Sequence, residues 1–243
     1  MKTSLGIIHG LAIFALAVSA SQSADAGLSI SSAVGGAPAG TVEENFDSLQ
    51  SDTTGTTTLP SRITISYDGD AQAVSGSSYG HYAAPYLSGS NGVGFGPNGS
   101  AQARGPDATT YVSVSDNGFV TLRFPSLETY VGILWGSVDG YNTLSFYNGS
   151  TLVGALTGND VTPSPNGDQG INGTVYLNVS ATDDSRFDRI IATSDGSAFE
   201  FDDVAFMGTI VQTLKQDPDP IPEPVSFGLL GTGLLALGFI RRR

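Results

Sequence analysis

The sequence predicts an all-β protein: a single antiparallel β-sandwich of jelly-roll type, with targeting segments at both ends. Short runs in which apolar and polar residues alternate recur along the chain, and they are rich in β-branched and aromatic residues. The 32 glycines, together with many Ser, Thr and Asn, supply turns between these runs. No stretch has the apolar spacing of an amphipathic helix, so stacked antiparallel strands are favoured over a helical or α/β fold.

Residues 1–26 have the pattern of a secretory signal peptide. Lys2 gives a positive start, an apolar run follows over residues 5–18, and Ala24 and Ala26 form a small-x-small cleavage site. The apolar run is shorter than the roughly 20 residues that a bilayer span requires, which favours cleavage near residue 27 over a permanent anchor. We therefore expect export through the Sec machinery.

Two linkers are expected to flank a β-sandwich body at residues 41–211. Residues 27–40 are small and rich in Gly, Ala and Ser, and residues 212–220 alternate Asp with Pro. Residues 130–136 are apolar throughout, which predicts a central strand with Trp135 in the core. The other clear strand runs lie at residues 62–68, 110–115, 119–124, 143–147, 151–156 and 174–179.

Turn residues predict how some of these strands are connected. Asn-Gly pairs at 117–118 and 148–149 each lie between two strand runs, and both predict hairpins because Asn and Gly tolerate positive φ angles. Residues 79–105 form a long glycine-rich stretch, which predicts a surface loop, whether ordered or disordered.

The C-terminal segment, residues 221–243, combines a Pro-Glu-Pro motif, an apolar stretch and a terminal arginine cluster. Residues 225–240 would form a helix about 24 Å long, enough to cross a locally thinned bilayer with the arginines on the cytoplasmic side. The prolines keep the motif extended, as a peptidase requires of its substrate. The residues of the motif and the cluster are Pro222, Glu223, Pro224, Arg241, Arg242 and Arg243.

In this order and position, the three features resemble the PEP-CTERM sorting signal of Gram-negative bacteria. The resemblance implies recognition and cleavage by an exosortase, a membrane-embedded cysteine peptidase, during a transient stay in the inner membrane. It also implies release to the cell surface or the extracellular space, commonly in association with exopolysaccharide. A plain transmembrane anchor is the alternative, and it too predicts export.

Acidic residues lie near both ends of the body: Glu43 and Asp47 at its start, Asp202 and Asp203 at its end. This pairing resembles carbohydrate-binding jelly rolls in which the adjacent first and last strands share a structural Ca²⁺, an ion that takes carboxylate and carbonyl oxygens. Because successive side chains of a strand point to opposite faces, only one of Asp202 and Asp203 is expected to be a ligand. The alternative is a set of solvated carboxylates at a sheet edge.

Three tyrosines in the glycine-rich stretch, Tyr79, Tyr82 and Tyr86, predict a platform on which sugar rings could stack. The alternative is that they fold back and cover the sandwich with their large apolar area.

Composition argues against most catalytic devices. Cys is absent and His81 is the only histidine outside the signal segment, and no P-loop or zinc-protease pattern occurs. A net charge of −13 disfavours nucleic acid as a partner. We therefore expect a non-catalytic surface or matrix protein that binds polysaccharide. The alternatives are a secreted polysaccharide-acting enzyme, which needs only two carboxylates, and a purely structural protein.

Overall fold

The computed structural model describes residues 27–33 and 35–208. Strands make up 53% of these residues, and helix among them is limited to the single turns Pro97–Gly99 and Gly158–Val161. Every strand pairing in this part of the chain is antiparallel. The prediction of an all-β protein is confirmed.

Several predictions concern segments outside the described residues. They are the signal peptide at 1–26, the linker at 212–220 and the sorting segment at 221–243. Across the described ranges, no helix has the length and apolar character needed to cross a bilayer.

The strands, in chain order, are β1 Leu28–Ala33, β2 Val42–Glu44, β3 Thr56–Thr58, β4 Thr64–Asp68, β5 Ala71–Ser75, β6 Tyr86–Leu87, β7 Val93–Gly96, β8 Ser100–Ala101, β9 Gly105–Pro106, β10 Thr110–Val114, β11 Phe119–Gly136, β12 Asn142–Asn148, β13 Thr151–Thr157, β14 Val175–Ala181, β15 Phe187–Ser194 and β16 Phe199–Gly208. The predicted runs at 62–68, 110–115, 143–147, 151–156 and 174–179 coincide with β4, β10, β12, β13 and β14.

The longest strand, β11, joins two groups of strands. Its residues 119–123 pair with β4 and β15, and its residues 130–136 pair with β14 and β16. β12, β13 and β3 extend the first group, while β1, β2, β10 and β5 extend the second. Pro125 lies between the two halves of β11, where the pairing register shifts and its missing N–H interrupts no regular ladder. The separate strands predicted at 119–124 and 130–136 are therefore one continuous strand.

Both strand groups contribute side chains to one hydrophobic core. Phe146 and Phe187 come from the first group and Trp135 and Phe199 from the second, and all four are fully buried. Trp135 stacks on Phe199 with ring centroids 4.4 Å apart, which confirms its predicted place in the core. Residues 131–136 are buried throughout, as expected for a central strand.

Of the two predicted hairpins, one is confirmed and one is wrong. Asn148 pairs with Thr151 across the second turn, which connects β12 to β13. The first turn instead links β10, whose neighbours are β5 and β16, to the start of β11, whose neighbours are β4 and β15. Asn117 does adopt a positive φ of 66°, so the turn forms but carries the chain from one strand group to the other.

The linker predicted at 27–40 is wrong for its first residues, which form β1. Leu28–Ala33 pairs with β14 over its whole length. Leu28 is buried and Ile30 packs against the core. Ser29 and Ser31, which alternate with them, are exposed. This short alternation places one apolar side of β1 against the core, and β14 supplies the backbone partners.

The glycine-rich stretch is not a free surface loop. Residues 78–107, here called the covering segment, form the short strand pairs β6–β9 and β7–β8 and lie over the second strand group. Buried Leu87 and Phe95 of this segment cluster with Leu134 and Tyr176. Leu134 alternates along β11 with residues of the main core, so the covering segment packs on the opposite face of the sheet.

Candidate functional site

The last strand contains a β-bulge at two of the predicted ligands, Asp202 and Asp203. Along β11 and β16, Gly132 pairs with Ala205 whereas Leu134 pairs with Asp202, so β16 holds one extra residue between these pairs. Asp203 has a φ of 49°, the left-handed conformation that bulges often use. The regular alternation of side chains is therefore interrupted at this point.

Both aspartates face the covering segment as a result. Phe201 before them and Val204 after them belong to the main core. Burial raises the pKa of both carboxyl groups well above the ordinary range, and repulsion from Asp107 of the covering segment raises the pKa of each further. The expectation that Asp202 and Asp203 point to opposite faces is wrong, because the bulge turns both side chains the same way.

Four aspartates meet beneath the covering segment: Asp47, Asp107, Asp202 and Asp203, here called the aspartate cluster. Asp202 and Asp203 are 0% exposed and Asp107 is 2% exposed, whereas Asp47 lies at the exposed rim. Burial raises the pKa of Asp47, and its carboxylate in turn repels Asp203. The cluster thus brings together three of the four predicted ligands and adds Asp107, which no local sequence pattern marked.

The fourth predicted ligand, Glu43, lies on β2 and is exposed, with Thr41 Oγ1 donating to its Oε1 at 3.3 Å. β2 pairs with β16, where Glu43 is opposite Ala205. The acidic segments at the two ends of the body are therefore adjacent, as expected.

Two buried carboxylate oxygens in the cluster have no hydrogen-bond donor: Oδ2 of Asp107 and Oδ2 of Asp202. Oδ1 of Asp107 accepts from the backbone N–H and the hydroxyl of Thr109, at 2.8 and 2.6 Å. Oδ1 of Asp202 accepts from the backbone N–H of Asp203 at 2.7 Å. Leaving an ionised carboxylate oxygen buried without a partner is costly, so a proton or a cation is needed between these groups.

Gln102 of the covering segment completes the cluster. With its amide nitrogen toward Asp203, it donates to Oδ2 at 2.5 Å and to Oδ1 at 3.3 Å. With the amide oxygen in that position, three oxygens would converge, an arrangement that requires a proton on Asp203 or a bound cation. A rotation of its amide therefore lets the same side chain pair with an ionised Asp203 or with a protonated or metal-bound one.

The donor atoms of the cluster suit a hard cation, although the side chains are not arranged around one. Among residues 27–33 and 35–208, no three His, Cys, Asp or Glu side chains are arranged to hold a metal ion as they stand. All available ligands are oxygens, from four carboxylates, one amide and nearby backbone carbonyls, which is the donor set that Ca²⁺ takes in preference to transition metals. The two orphaned oxygens show where such an ion would be needed.

A separate groove lies beside Tyr82, at the opposite end of the covering segment from Gln102. Its cavity volume is about 530 Å³, and a smaller cavity of about 80 Å³ shares Gly80, His81, Tyr82 and Ser197 with it. Of the three tyrosines predicted to stack on sugars, Tyr82 lines this groove. Its ring also packs edge to face on Tyr111, with centroids 6.4 Å apart, as the covering alternative predicted.

The other two tyrosines lie outside the lining of the groove. Tyr79 is fully exposed, and Tyr86 is half-buried in β6. Its backbone N–H donates to the hydroxyl of Thr174 at 3.0 Å. The structure thus places one of the three predicted sugar-stacking residues at a concave surface.

Glu200 lies where the smaller cavity meets the sheet, and sequence reasoning missed it. Its carboxylate is 1% exposed, accepts from the backbone N–H of Ala83 at 2.9 Å and accepts a short hydrogen bond from the hydroxyl of Ser137. Burial raises the pKa of Glu200 to about 7, the hydrogen bonds oppose that rise, and repulsion from Asp139 adds to it. A glutamate between Phe199 and Phe201 was the available signal, since such a position alternates away from the core.

Comparisons with protein-family models, with curated proteins and with solved structures find no match to this chain.

Proposed function

We propose that this chain is an exported, non-catalytic surface or extracellular-matrix protein that binds polysaccharide through a calcium-stabilised β-sandwich body. The observation that carries the proposal is the aspartate cluster, whose buried carboxylates need a proton or a cation to be stable at neutral pH. Calcium is the cation for which an all-oxygen site of this kind is suited.

The sandwich of jelly-roll type is supported by the way the strands are grouped. Two antiparallel groups share β11, and residues from both enclose the same core. Two sheets packed face to face around interdigitated side chains would give this arrangement. β11 would then be the strand that passes from one sheet to the other at its bend.

A calcium requirement fits a protein that works outside the cell. Calcium sites in extracellular modules have dissociation constants on the order of 10⁻⁴–10⁻³ M, so they fill only where the ion is plentiful. The cluster ties residue 47, the covering segment and β16 together, so binding would secure the body once it had been exported. Before export, the repelling carboxylates would leave this region less stable.

The two ends of the sequence support the route. The signal peptide at 1–26 would direct the chain through the Sec machinery. The Pro-Glu-Pro motif, apolar stretch and arginine cluster at 221–243 would hold it in the inner membrane until an exosortase cleaves it. Release to the cell surface or extracellular matrix would follow.

The enzyme alternative is a glycosidase acting through Glu200, a carboxyl group beside a cavity whose pKa is raised to about 7. A general acid needs such a pKa and a free oxygen facing the substrate. Both oxygens of Glu200 instead accept hydrogen bonds from the protein, which suits a positioning role. We therefore favour binding without turnover.

The test is to incubate the purified exported protein with a panel of polysaccharides and to follow both retention and release of reducing ends. The proposal expects retention on at least one polysaccharide with no hydrolysis. Hydrolysis by the wild type that is lost in Glu200→Gln would contradict the binding proposal and support the glycosidase alternative. No retention on any polysaccharide would leave a structural role.

A further inference from the structure

The groove beside Tyr82 has the size and chemistry of a ligand site. Its volume of about 530 Å³ lies within the range of roughly 300–1,000 Å³ that small-molecule sites occupy. It is built from five parts of the chain: Thr54, β5 with the turn before it, the end of β10 with the turn after it, the start of the covering segment, and Ser197. Such a surface cannot be recognised from any one stretch of sequence.

The lining is polar, with acceptors and donors but no cationic side chain among the described residues that form it. Gln72, Ser113 and Ser115 offer amide and hydroxyl groups, and exposed Asp70 and Asp116 offer carboxylates at the rim. Carboxylates accept hydrogen bonds from hydroxyl groups and repel anions. An apolar ligand would leave these groups without partners, and an anionic one would be repelled.

Tyr82 and His81 add an aromatic wall on one side. The backbones of Ser78 and Tyr82 exchange hydrogen bonds at 2.9 and 3.0 Å, and the N–H of His81 also donates to Ser78 at 2.9 Å. This tight turn fixes His81 at the rim, where it is exposed. A ring next to polar groups suits a sugar, whose C–H face packs on aromatics while its hydroxyls form hydrogen bonds.

The wall is held in place from beneath. The N–H of Ala83 donates to buried Glu200, and the ring of Tyr82 packs on Tyr111, whose hydroxyl donates to the carbonyl of Gly76 at 2.5 Å. A wall fixed in this way loses little conformational freedom when a ligand binds. Glu200 is thus a positioning residue for the groove.

We propose that this groove binds an uncharged, hydroxyl-rich sugar chain, with Gln72, His81 and Tyr82 in contact with it. The inference rests on the proposed polysaccharide-binding function and adds to it the place of binding and the charge of the ligand. Of the three tyrosines predicted to stack on sugars, only Tyr82 would then contact the ligand, together with other residues of the groove.

The experiment titrates the purified exported protein, by isothermal calorimetry, with dextran, mannan and laminarin oligosaccharides, with anionic alginate and with cationic chitosan oligomers. Two variants remove exposed or half-buried groove side chains, Gln72→Ala and His81→Ala. Tyr79→Ala is the matched control, because Tyr79 is fully exposed on the same turn but outside the lining. Unchanged melting temperatures show that each variant folds.

We expect at least one uncharged chain to bind, with affinity at least tenfold weaker in both groove variants and unchanged in Tyr79→Ala. Binding to an uncharged chain that both groove variants retain would overturn the groove while leaving the proposed function intact. Binding confined to alginate or to chitosan would overturn the ligand class. Binding to none of the five would remove both the inference and the polysaccharide-binding function on which it rests.

Discussion

Asp202 and Asp203 show how one backbone angle decides whether a site can exist. In a regular strand they would lie on opposite faces, and the sequence alone predicts that arrangement. The bulge at Asp203, with its φ of 49°, places both beside Asp107 instead. The acidic residues themselves were predictable, but the bulge depends on the register with β11 and was not.

Replacing one buried aspartate tests the repulsion within the cluster. In the presence of EDTA at pH 8, Asp202→Asn is expected to melt at a higher temperature than the wild type, because an isosteric amide removes a buried charge and can donate to Asp107. The same variant is expected to gain less from added Ca²⁺, since it lacks one ligand charge. Asp52→Asn, at an exposed position, is the control. It should change neither the melting temperature in EDTA nor the increase that Ca²⁺ produces. A lower melting temperature in EDTA for Asp202→Asn would contradict the repulsion.

Glu200 predicts a specific pH dependence of stability. Its pKa in the folded protein is about 7, above its ordinary value of 4.5, so the folded state holds the proton more tightly than the unfolded state. The contribution of Glu200 to the free energy of unfolding is therefore fully present below about pH 4.5, and it is lost as the pH rises toward 7. The loss is on the order of 3 kcal/mol.

The measurement is urea unfolding in EDTA at several pH values between 4.5 and 8. Because the aspartate cluster titrates in the same direction, the quantity to compare is the difference between wild type and Glu200→Gln. The difference in the free energy of unfolding should change between pH 4.5 and 8, because the variant loses less stability than the wild type as the pH rises. Parallel curves for the two proteins would show that Glu200 does not titrate as described.

The covering segment shows how far element-level prediction reaches. Strands with clear alternation were predicted, as β4, β12, β13 and β14 show, because burial on one face leaves a period of two in the sequence. The covering segment has no such period, since its two large buried apolar residues, Leu87 and Phe95, are separated by a glycine-containing turn. The wrong hairpin at 117–118 has a related cause, because a turn sequence does not reveal which strand each flanking segment pairs with.

Truncating an anchor of the covering segment should destabilise the protein. Phe95 is 2% exposed and packs on Tyr176 with ring centroids 6.1 Å apart. Phe95→Ala is expected to lower the free energy of unfolding by about 3 kcal/mol, through lost burial and a cavity. Phe119→Ala makes the same substitution at a residue 39% exposed and should cost less than half as much. Equal losses in chemical denaturation would show that the segment is not packed as described.

The chain is predicted to be processed at both ends. Mass spectrometry of the protein from its native host should find an N-terminus near residue 27 and a C-terminus that lacks Arg241, Arg242 and Arg243. An intact arginine cluster would refute exosortase cleavage, and an intact residue 1 would refute the signal peptide. These two predictions use the sequence alone, because targeting signals are linear patterns that machinery recognises before folding is complete.

The aspartate cluster and the groove are assembled from distant segments, so the body's function depends on how the covering segment lies over the sheet. We propose that a cation replaces the protons that the cluster would otherwise need at neutral pH. With a dissociation constant near 10⁻⁴ M, 10 mM Ca²⁺ would stabilise the folded state by about 2.7 kcal/mol. For a body of this size, that corresponds to a rise of roughly 5–10 °C in melting temperature.

The most direct measurement is the melting temperature of the purified exported protein in 10 mM Ca²⁺ and in EDTA, at pH 7.5 and at pH 5. We expect the melting temperature to rise by several degrees with Ca²⁺ at pH 7.5 and by less at pH 5, because protons compete for carboxylates whose pKa values are raised. Identical melting temperatures in Ca²⁺ and EDTA at both pH values would contradict it.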